Sequence, residues 1–531
     1  MHPFVRTRHI LIVLIIGLPV LLSAQVDFTS SNIPIVVINT DSMEIVDEYR
    51  IVGQMGIINN GGGMRNYITD PFNDYSGKIN IEIRGSTSQS FPKKSYGFET
   101  QDDSGENRNV SLINLPEEND WVLYAPYSDK TLLRNILSFR LSRELGQYAP
   151  RTKLCELILN GEYQGVYVLI EKIKRDQNRV NIARLNPEDI SGDDLSGGYI
   201  IKIDKPTGNS GPTWRSELGG IYFQYEYPKY DEIVPEQKTY IKNYLDDFEQ
   251  ALLADDYADP DIGYRKYMDE NSFVDFFIIN ELTKNVDGYM LSTFFYKDKE
   301  SNGGKLNMGP IWDFNLAFGN ADYREGNYTN GFQLSINDVP WWWDRILQDT
   351  TFTDHIQEKW CNIRETQYSD GAIISIIDSL SLLLEEAQER NFAKWDILGR
   401  KIWPNYYVGQ SFEDEVGFLK NWTSKRLKWL DDSQYCTNER NEIPPDLETK
   451  VYPNPFSSFF YYDFALNKPG NISLTLYDLK GAQVSTIVDE VYYSAGSYSI
   501  NWQSPEIPAS IYVLILRIDG EIVSVQKLVK L

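Results

Sequence analysis

The sequence predicts an α+β fold: a strand-rich lobe, a helix-rich lobe with a cleft between the two, and a small Ig-like β-sandwich at the C-terminus. Short strand-like runs dominate the 531-residue chain as far as about residue 172, and apolar residues at helical spacing dominate from about residue 235. After a polar stretch that contains Pro444 and Pro445, four short alternating runs follow. Such runs, separated by turn residues, are typical of a β-sandwich.

Residues 1–24 are predicted to be a secretory signal peptide. Two Arg residues precede the apolar run Ile10–Leu22, which ends in the small residues Ser23 and Ala24. A membrane anchor, the alternative, needs about 20 apolar residues, whereas this run has 13 and is interrupted by a Gly and a Pro. We therefore expect an exported mature chain without a transmembrane segment.

The first lobe is predicted to contain six strands and one helix. The helix covers about Thr131–Leu145, where Leu132, Ile136 and Phe139 recur near helical spacing and Gly146 follows as a stop. The strands are expected at Ile35–Asn39, Lys78–Arg84, Ser95–Thr100, Trp121–Tyr124, Leu154–Leu159 and Val166–Lys172.

The second lobe is predicted to be mainly helical, with one hairpin. The helices are expected at about Pro235–Ala254, Ser272–Lys284 and Ile373–Lys394. The hairpin strands are expected at Ser292–Lys297 and Lys305–Trp312, on either side of a turn that contains Asn302, Gly303 and Gly304.

Composition excludes several kinds of site. The formal net charge of -25 disfavours binding to the phosphate backbone of a nucleic acid. Two of the three His lie in the leader, so His355 alone remains, which disfavours Ser-His-Asp catalysis and excludes a metal site with two His ligands. Cys155, Cys361 and Cys436 allow one disulfide at most. The chemistry is therefore expected to use carboxylates, Lys, Arg, amides and hydroxyls.

Two segments of the first lobe are candidates for a cleft edge. The strand that ends at Arg84 runs into the loop Gly85-Ser86-Thr87-Ser88, and Lys93 and Lys94 follow on the return strand. Small residues let backbone N–H groups approach phosphate oxygens, and a Lys supplies positive charge; a polar hairpin with a basic edge is the alternative interpretation. The apolar strand that ends in Glu171-Lys172 presents charge at the edge of the cleft, or is simply a core strand whose end reaches water.

Two Asp residues of the second lobe occur in an informative order. The almost wholly apolar helix Ser272–Lys284 leads to Asn285-Val286-Asp287-Gly288, a hairpin follows, and its second strand leads to Asp313-Phe314-Asn315. Phosphotransferases present a hydroxyl-orienting Asp and a metal-binding Asp in this order. Mg²⁺ needs only one or two carboxylates and no His. The spacing equally allows a simple turn at Asp287 and a capping role for Asp313.

Together these segments resemble the CotH (spore-coat protein H) kinase family, a group of secreted atypical kinases. The resemblance implies a two-lobed atypical protein-kinase-like domain over residues 25–435. The runs that carry it are Ile83–Ser88, Phe91–Tyr96, Trp121–Ala125, Asp129–Asn135, Gly165–Tyr167, Glu171–Ile173, Gly197–Ile200, Asn285–Gly288 and Gly309–Gly319.

The resemblance also implies roles for individual residues. Asp287 would be the catalytic Asp, and Asp313 with Asn315 would bind Mg²⁺ or Mn²⁺. The residues implied for the ATP site are Lys94 or its neighbour Lys93, Gly85, Ser86 and Ser88 of the loop, and Arg84, Arg134 and Glu171. Many family members have an Asp at the position of Asn315, so one negative charge is lost here. A weak or inactive kinase therefore stays open as an alternative.

Residues 449–531, after a predicted linker at 436–448, resemble the type IX secretion C-terminal sorting domain. The runs that carry this resemblance are Val451–Pro455, Tyr477–Gly481 and Gln526–Leu531. It implies recognition by the type IX secretion machinery and a secreted or outer-membrane surface location in a Gram-negative bacterium. A generic Ig-like module that binds carbohydrate or acts as a spacer is the alternative.

The predicted function is ATP-dependent, Mg²⁺-dependent phosphorylation of Ser or Thr hydroxyls on a protein substrate. Because ATP is scarce outside the inner membrane, a non-catalytic surface or adhesion protein on the same fold is one alternative. A carboxylate-based polysaccharide hydrolase is another, since two carboxylates suffice for that reaction and the chain contains the run Trp341-Trp342-Trp343. Core packing is the simpler interpretation of that Trp run.

Overall fold

The computed structural model describes residues 26–61, 63–206, 211–337, 339–433, 449–466, 469–478, 482–494, 496–503 and 507–531. The predicted signal peptide (1–24) and the predicted linker (436–448) lie outside these residues. The chain divides after Cys436 into two compact units. Cys155 is buried and free, whereas Cys361 is disulfide-bonded.

The first unit begins with a closed barrel of seven strands. The elements of this part are β1 (Ser30–Ser31), β2 (Ile35–Asn39), β3 (Ile51–Ile58), β4 (Asn66–Tyr67), β5 (Tyr75–Arg84), β6 (Ser95–Thr100), β7 (Asp120–Tyr124), α1 (Arg134–Glu144), β8 (Thr152–Leu159) and β9 (Glu162–Glu171). The order around the barrel is β2-β3-β5-β6-β7-β9-β8. All neighbours are antiparallel except β2 and β8, which are parallel.

The barrel interior is filled by the alternate apolar residues of its strands. Ile38, Ile57, Ile81 and Phe98 are fully buried there. Strand β3 was not predicted, because its two Gly and one Gln dilute the strand pattern. The structure explains one of these residues: a side chain at Gly56 would overlap the ring of Phe72, since an added Cβ would lie 2.4 Å from a ring carbon.

The rest of the first unit is helix-rich and contains a five-stranded antiparallel sheet. Its elements are α2 (Gly192–Leu195), β10 (Tyr199–Ile203), β11 (Trp214–Arg215), β12 (Tyr222–Tyr227), α3 (Pro235–Leu253), α4 (Glu270–Thr283), β13 (Thr293–Lys297), β14 (Leu306–Met308), α5 (Trp342–Ile346), α6 (Thr350–Arg364), α7 (Asp370–Leu383), α8 (Glu385–Lys394) and α9 (Phe412–Ser433). The strand order is β11-β12-β10-β13-β14. The single helix predicted at Ile373–Lys394 is in fact two helices, α7 and α8, which meet at the buried Leu384.

Helix α4 lies at the centre of this region. It is buried on nearly all sides, as its apolar composition predicts, and it contacts α1, α6 and α9. Trp342 and Trp343 of α5 are fully buried, and Trp343 packs against Phe273 and Phe277 of α4. The interpretation of the Trp run as core packing is therefore correct.

The second unit consists of two antiparallel sheets around one core. Its strands are β15 (Lys450–Tyr452), β16 (Phe459–Leu466), β17 (Gly470–Asp478), β18 (Gln483–Tyr493), β19 (Gly496–Gln503), β20 (Ser510–Ile518) and β21 (Glu521–Lys530). The orders are β15-β16-β19 and β18-β17-β20-β21. Phe460 and Phe464 of the first sheet share the core with Leu474 and Leu514 of the second. Over the described residues of both units, no helix has the length and apolar character that crossing a bilayer requires.

Candidate active site

The turn after α4 positions Asp287. The helix ends at Lys284, which adopts a left-handed conformation (φ 49°). The side-chain oxygen of Asn285 then accepts a hydrogen bond from the backbone N–H of Asp287 (3.3 Å). Gly288 is required at the next position, because a Cβ there would lie 2.5 Å from Oδ1 of the buried Asn280. Asp287 is thus presented at the end of a rigid helix, with its side chain 23% exposed.

Helix α1 holds the loop that carries Asp313. The side-chain oxygen of Asn135 accepts from the backbone N–H of Phe314 (2.6 Å), and the guanidinium of Arg134 donates to the carbonyl of Ala317 (3.0 Å). The backbone N–H of Phe318 donates to the carbonyl of Thr283 in the last turn of α4 (2.7 Å). The loop of Asp313 is therefore tied to the same helix end that presents Asp287.

Asp204, Asp287 and Asp313 form a group of mutually repelling carboxylates, named here the acidic cluster. The Asp313 side chain is accessible to solvent, yet the surrounding protein, followed by the charges of Asp287 and Asp204, raises its pKa to about 6. Burial is also the main cause that raises the pKa of Asp287, which Lys205 and Arg324 oppose. An accessible carboxylate that is nevertheless desolvated is expected at the floor of a cleft, where excess negative charge favours a bound cation.

Arg84, the last residue of β5, lies beside this cluster. Its guanidinium carbon is 5.2 Å from the ring centroid of Trp312, the residue before Asp313. Burial lowers the pKa of Arg84, and the charge of Asp313 is the strongest effect in the opposite direction. Within the described residues this guanidinium has no hydrogen bond or ion pair, so its N–H groups are available to a ligand.

The loop after Arg84 is compact. Gly85 has a φ of 119°, and a Cβ there would lie 2.2 Å from the hydroxyl oxygen of Ser88. The side chain of Gln89 donates to the carbonyl of Gly85 (2.7 Å), and the ammonium of Lys94 donates to the carbonyl of Gln89 (2.5 Å). Ser86 is exposed and Ser88 partly so. The loop thus borders Arg84, and Lys94 braces the loop.

The structure does not bring Lys93 to the acidic cluster. Its ammonium is buried against α8, where it donates to the carbonyl of Val166 (2.5 Å) and to the side-chain oxygen of Asn391 (2.8 Å). Burial lowers its pKa to about 7. Lys93 therefore joins the barrel to α8, and its donors are used within the fold.

Arg134 and Glu171 are likewise held by protein contacts. The guanidinium of Arg134 pairs with Asp129 (2.6 Å) in addition to its bond to the loop of Asp313, so it positions that loop. The carboxylate of Glu171 is fully buried and pairs with Arg151 (2.8 Å). Neither side chain is free to contact a nucleotide.

Sequence reasoning placed Lys172 at a possible cleft edge without a partner, and it missed Asp204. Side chains alternate along a strand, and Lys172 points away from the buried Glu171 and pairs with Asp120 (3.0 Å). It also acts on Glu226: burial alone raises the pKa of Glu226, but Lys202, Lys229 and Lys172 lower it to about 2. Asp204 directly follows the last residue of β10, and a carboxylate at the end of an apolar strand was the available signal.

The donor set at Asp313 fits a hard divalent cation. In the described part of the chain, no three His, Cys, Asp or Glu side chains lie close enough to hold a metal by themselves. Asp313 offers a carboxylate without an ion-pair partner, and the side-chain amide of Asn315 makes no hydrogen bond to any described residue. Mg²⁺ usually takes one or two protein oxygens and completes its shell with water and phosphate oxygens. These two residues match that demand.

Two family models match the chain. The CotH kinase protein model matches residues 81–430, and the secretion system C-terminal sorting domain matches residues 450–531. No curated protein sequence matches significantly.

Similarity to solved structures is weak. The Helicobacter pylori proinflammatory kinase CtkA aligns over 62% of this chain and 93% of its own, with 11% identity and a TM-score of 0.26. The Pseudomonas fluorescens alkylpurine DNA glycosylase AlkC aligns over 39% of this chain and 58% of its own, with 10% identity and a TM-score of 0.12. These scores are too low to transfer a fold or a function. The family models decide instead: the chain belongs to the CotH kinase protein family and carries a type IX secretion C-terminal sorting domain.

Proposed function

We propose that this protein is an exported atypical kinase, which transfers the γ-phosphoryl group of ATP to Ser or Thr hydroxyls of a protein substrate. The observation that supports the proposal is the acidic cluster beside Arg84. Two loop carboxylates, Asp287 and Asp313, are fixed by one helix end and lie next to a guanidinium that has no hydrogen bond or ion pair among the described residues. Phosphoryl transfer needs this combination of charges more than it needs covalent chemistry.

Asp287 is proposed to orient the acceptor hydroxyl and to take its proton. A carboxylate whose pKa is raised by burial is a better proton acceptor than an exposed one. The guanidinium of Arg324 lies 3.9 Å from the Asp287 carboxylate, which favours its ionised form. The rigid turn at Gly288 fixes the direction of the carboxylate, so little reorganisation is needed when the hydroxyl arrives.

Arg84, Asp313 and Asn315 are proposed to bind the phosphate end of ATP. The free N–H groups of Arg84 would donate to phosphate oxygens, and the exposed loop Gly85–Ser88 would offer backbone N–H groups beside them. Asp313 and Asn315 would hold Mg²⁺ or Mn²⁺, which when bound offsets the negative charge of the phosphates. Lys94 is proposed to act through the loop that it braces.

The location is proposed to be the outer-membrane surface or the exterior of a Gram-negative cell. The sorting domain at residues 450–531 supports export through the type IX machinery. The residues predicted to form the signal peptide, 1–24, would direct the first step of that export.

Nucleotide binding and phosphoryl transfer by the full chain test the proposal. Calorimetry with Mg·ATP and mass spectrometry of added acceptor proteins would be compared for the wild type, Asp287→Asn and Asp313→Asn. We expect Asp287→Asn to bind Mg·ATP normally but to transfer phosphate at least about 100-fold more slowly, and Asp313→Asn to lose Mg-dependent binding.

The matched control is Asp378→Asn, which removes an exposed carboxylate paired with Lys420 on the surface. It should behave as the wild type. The proposal fails if the wild type binds no nucleotide, or if Asp313→Asn binds Mg·ATP with unchanged affinity.

A further inference from the structure

A pair of aromatic rings, one exposed and one partly buried, adjoins Asp287. The rings of Tyr323 and Trp403 are parallel, with an interplanar angle of 3° and 6.1 Å between their centroids. Trp403 is 56% exposed, and the nearby Tyr406 is 52% exposed. Tyr323 and Trp403 are named here the aromatic platform. Exposed aromatic rings next to a reactive group are characteristic of a binding surface.

The turn that carries Tyr323 packs directly against the turn of Asp287. Arg324, the next residue, places its guanidinium 3.9 Å from the Asp287 carboxylate. Gly326 lies so close to Val286 that an added Cβ would be 2.4 Å from the Cγ1 methyl carbon of Val286. Burial raises the pKa of Tyr323, and Asp287 is the charge that raises it most. The Tyr323 hydroxyl has no hydrogen-bond partner among the described residues.

Buried amides hold the platform in place. The backbone N–H of Asp322 donates to the carbonyl of Pro404 (2.9 Å), and that of Tyr406 donates to the carbonyl of Asn320 (2.8 Å). Between these bonds, the side chain of the buried Asn405 donates to the side chain of the buried Asn320 (2.8 Å). Asn320 in turn donates to the carbonyl of Asn315 (2.8 Å). The platform and the proposed metal residues therefore share one rigid frame.

Charges at the rim of the platform neutralise one another. Asp322 pairs with Lys401 (2.6 Å), and Arg400 pairs with Asp396. The rim thus offers a ligand little net charge, and the rings themselves are the main recognition element. Planar or ring-shaped apolar groups gain most from such a surface, because stacking adds to the burial of apolar area.

We propose that the aromatic platform is the acceptor site, and that it selects peptide segments in which a proline or an aromatic side chain lies next to the Ser or Thr that receives phosphate. This inference rests on the proposed kinase function. Trp403 would stack on the proline or aromatic ring of the peptide. Tyr323, whose free hydroxyl is near Asp287, would contact the peptide backbone or the hydroxyl of the Ser or Thr. Both are specificity-determining residues.

Two measurements on the full chain test this. Steady-state transfer from Mg·ATP would be compared for Ser peptides that carry Pro, Phe or Ala beside the Ser. Binding of the same peptides with Ala in place of Ser would be measured by fluorescence polarisation, which requires no catalysis. The variants are Trp403→Ala, Trp403→Phe as a ring-preserving rescue, and Tyr67→Ala, which removes an exposed aromatic side chain from β4.

We expect the Pro and Phe peptides to bind at least fivefold more tightly than the Ala peptide. Trp403→Ala should abolish this preference and raise KM for the ring-bearing peptides about tenfold, without a matching change of KM for Mg·ATP. Trp403→Phe should restore most of the preference, and Tyr67→Ala should keep it in full. Equal binding of all peptides, an unchanged preference in Trp403→Ala, or transfer only to added glycans would overturn the acceptor proposal. If the wild type binds ring-bearing peptides through Trp403 but transfers no phosphate, the kinase function fails and the peptide site stands.

Discussion

Two charged regions of the first unit differ in how their charges are paired. At the contact between the barrel and α8, the fully buried Glu156 pairs with Arg390 (2.6 Å), and the ammonium of Lys93 has two acceptors. In the acidic cluster, Asp313 lies near Asp287 and Asp204 and has no ion-pair partner among the described residues. Paired buried charges join parts of a fold, whereas accessible and crowded like charges are characteristic of a functional site. Charged residues therefore stabilise the fold in the first region and form the candidate active site in the second.

Breaking the paired region should have the largest effect, and it should act on stability. Arg390→Ala leaves the Glu156 carboxylate buried without its cation, so we expect the free energy of unfolding to fall by about 3–5 kcal/mol. Urea denaturation followed by tryptophan fluorescence measures this change. The control is Arg140→Ala, which breaks an exposed pair with Glu144 and should cost less than about 1 kcal/mol. If the two variants were equally stable, the contact between the barrel and α8 would not contribute to the stability of the fold.

Neutralising one member of the acidic cluster should act on activity instead. We expect Asp313→Asn to slow phosphoryl transfer by about 100- to 1,000-fold, the usual loss when one charge-stabilising group is removed from an active site. Its free energy of unfolding should stay equal or rise, since a repulsion between like charges is relieved. Side-by-side transfer assays and urea denaturation check both parts. If Asp313→Asn were destabilised but still active, the acidic cluster would serve stability and not activity.

The pH dependence of stability separates Lys93 from the active site. Its pKa of about 7 in the folded protein lies below the ordinary Lys value of 10.5. Between pH 7 and pH 10.5 this amine is protonated in the unfolded chain and neutral in the folded protein. The free-energy cost of burying Lys93 is therefore greatest below pH 7 and declines as the pH rises. Relative to Lys93→Met, the wild type should therefore gain about 1 kcal/mol of stability per pH unit from pH 7 to 9.

Denaturation midpoints at pH 6, 7, 8 and 9 measure this difference. Lys425→Met, at an exposed position, provides the comparison and should show no such trend. If the stability of the wild type and of Lys93→Met changed with pH in the same way, Lys93 would stay charged in the folded protein. If Lys93→Met lost much of its affinity for Mg·ATP, Lys93 would belong to the nucleotide site.

The smallest effect is expected from adding charge to the cluster. Asn315→Asp supplies a second carboxylate beside Asp313, so Mg²⁺ affinity should rise by on the order of tenfold, while stability without metal should fall slightly. Calorimetric titration with Mg²⁺ alone and denaturation in EDTA check the two parts. Asn307→Asp, on strand β14, is the control for an added charge. Unchanged Mg²⁺ affinity in Asn315→Asp would place the metal away from residue 315.

Local sequence patterns predicted which carboxylates follow a helix or a strand, but they did not predict which side chains pair with one another. Asp287 and Asp313 were identified because an apolar helix and a hairpin strand lead directly to them. Lys93 and Lys94 are adjacent, and only the tertiary fold decides which enters the interior: one acceptor of Lys93 is the side chain of Asn391, 298 positions away. Arg134 similarly finds the carbonyl of Ala317 across 183 positions. No local pattern contains such pairings.

The parallel pair of β2 and β8 has a consequence for how the chain matures during export. Residue 35 pairs in register with residue 156, so the last seam of the barrel joins segments about 120 positions apart. A nascent or partly translocated chain that lacks β8 leaves one edge of β2 unpaired and cannot close the barrel. Because contacts between distant segments form slowly, we expect closure of this seam to be a late step of folding. Until closure occurs, the exposed strand edge is a site at which aggregation can begin.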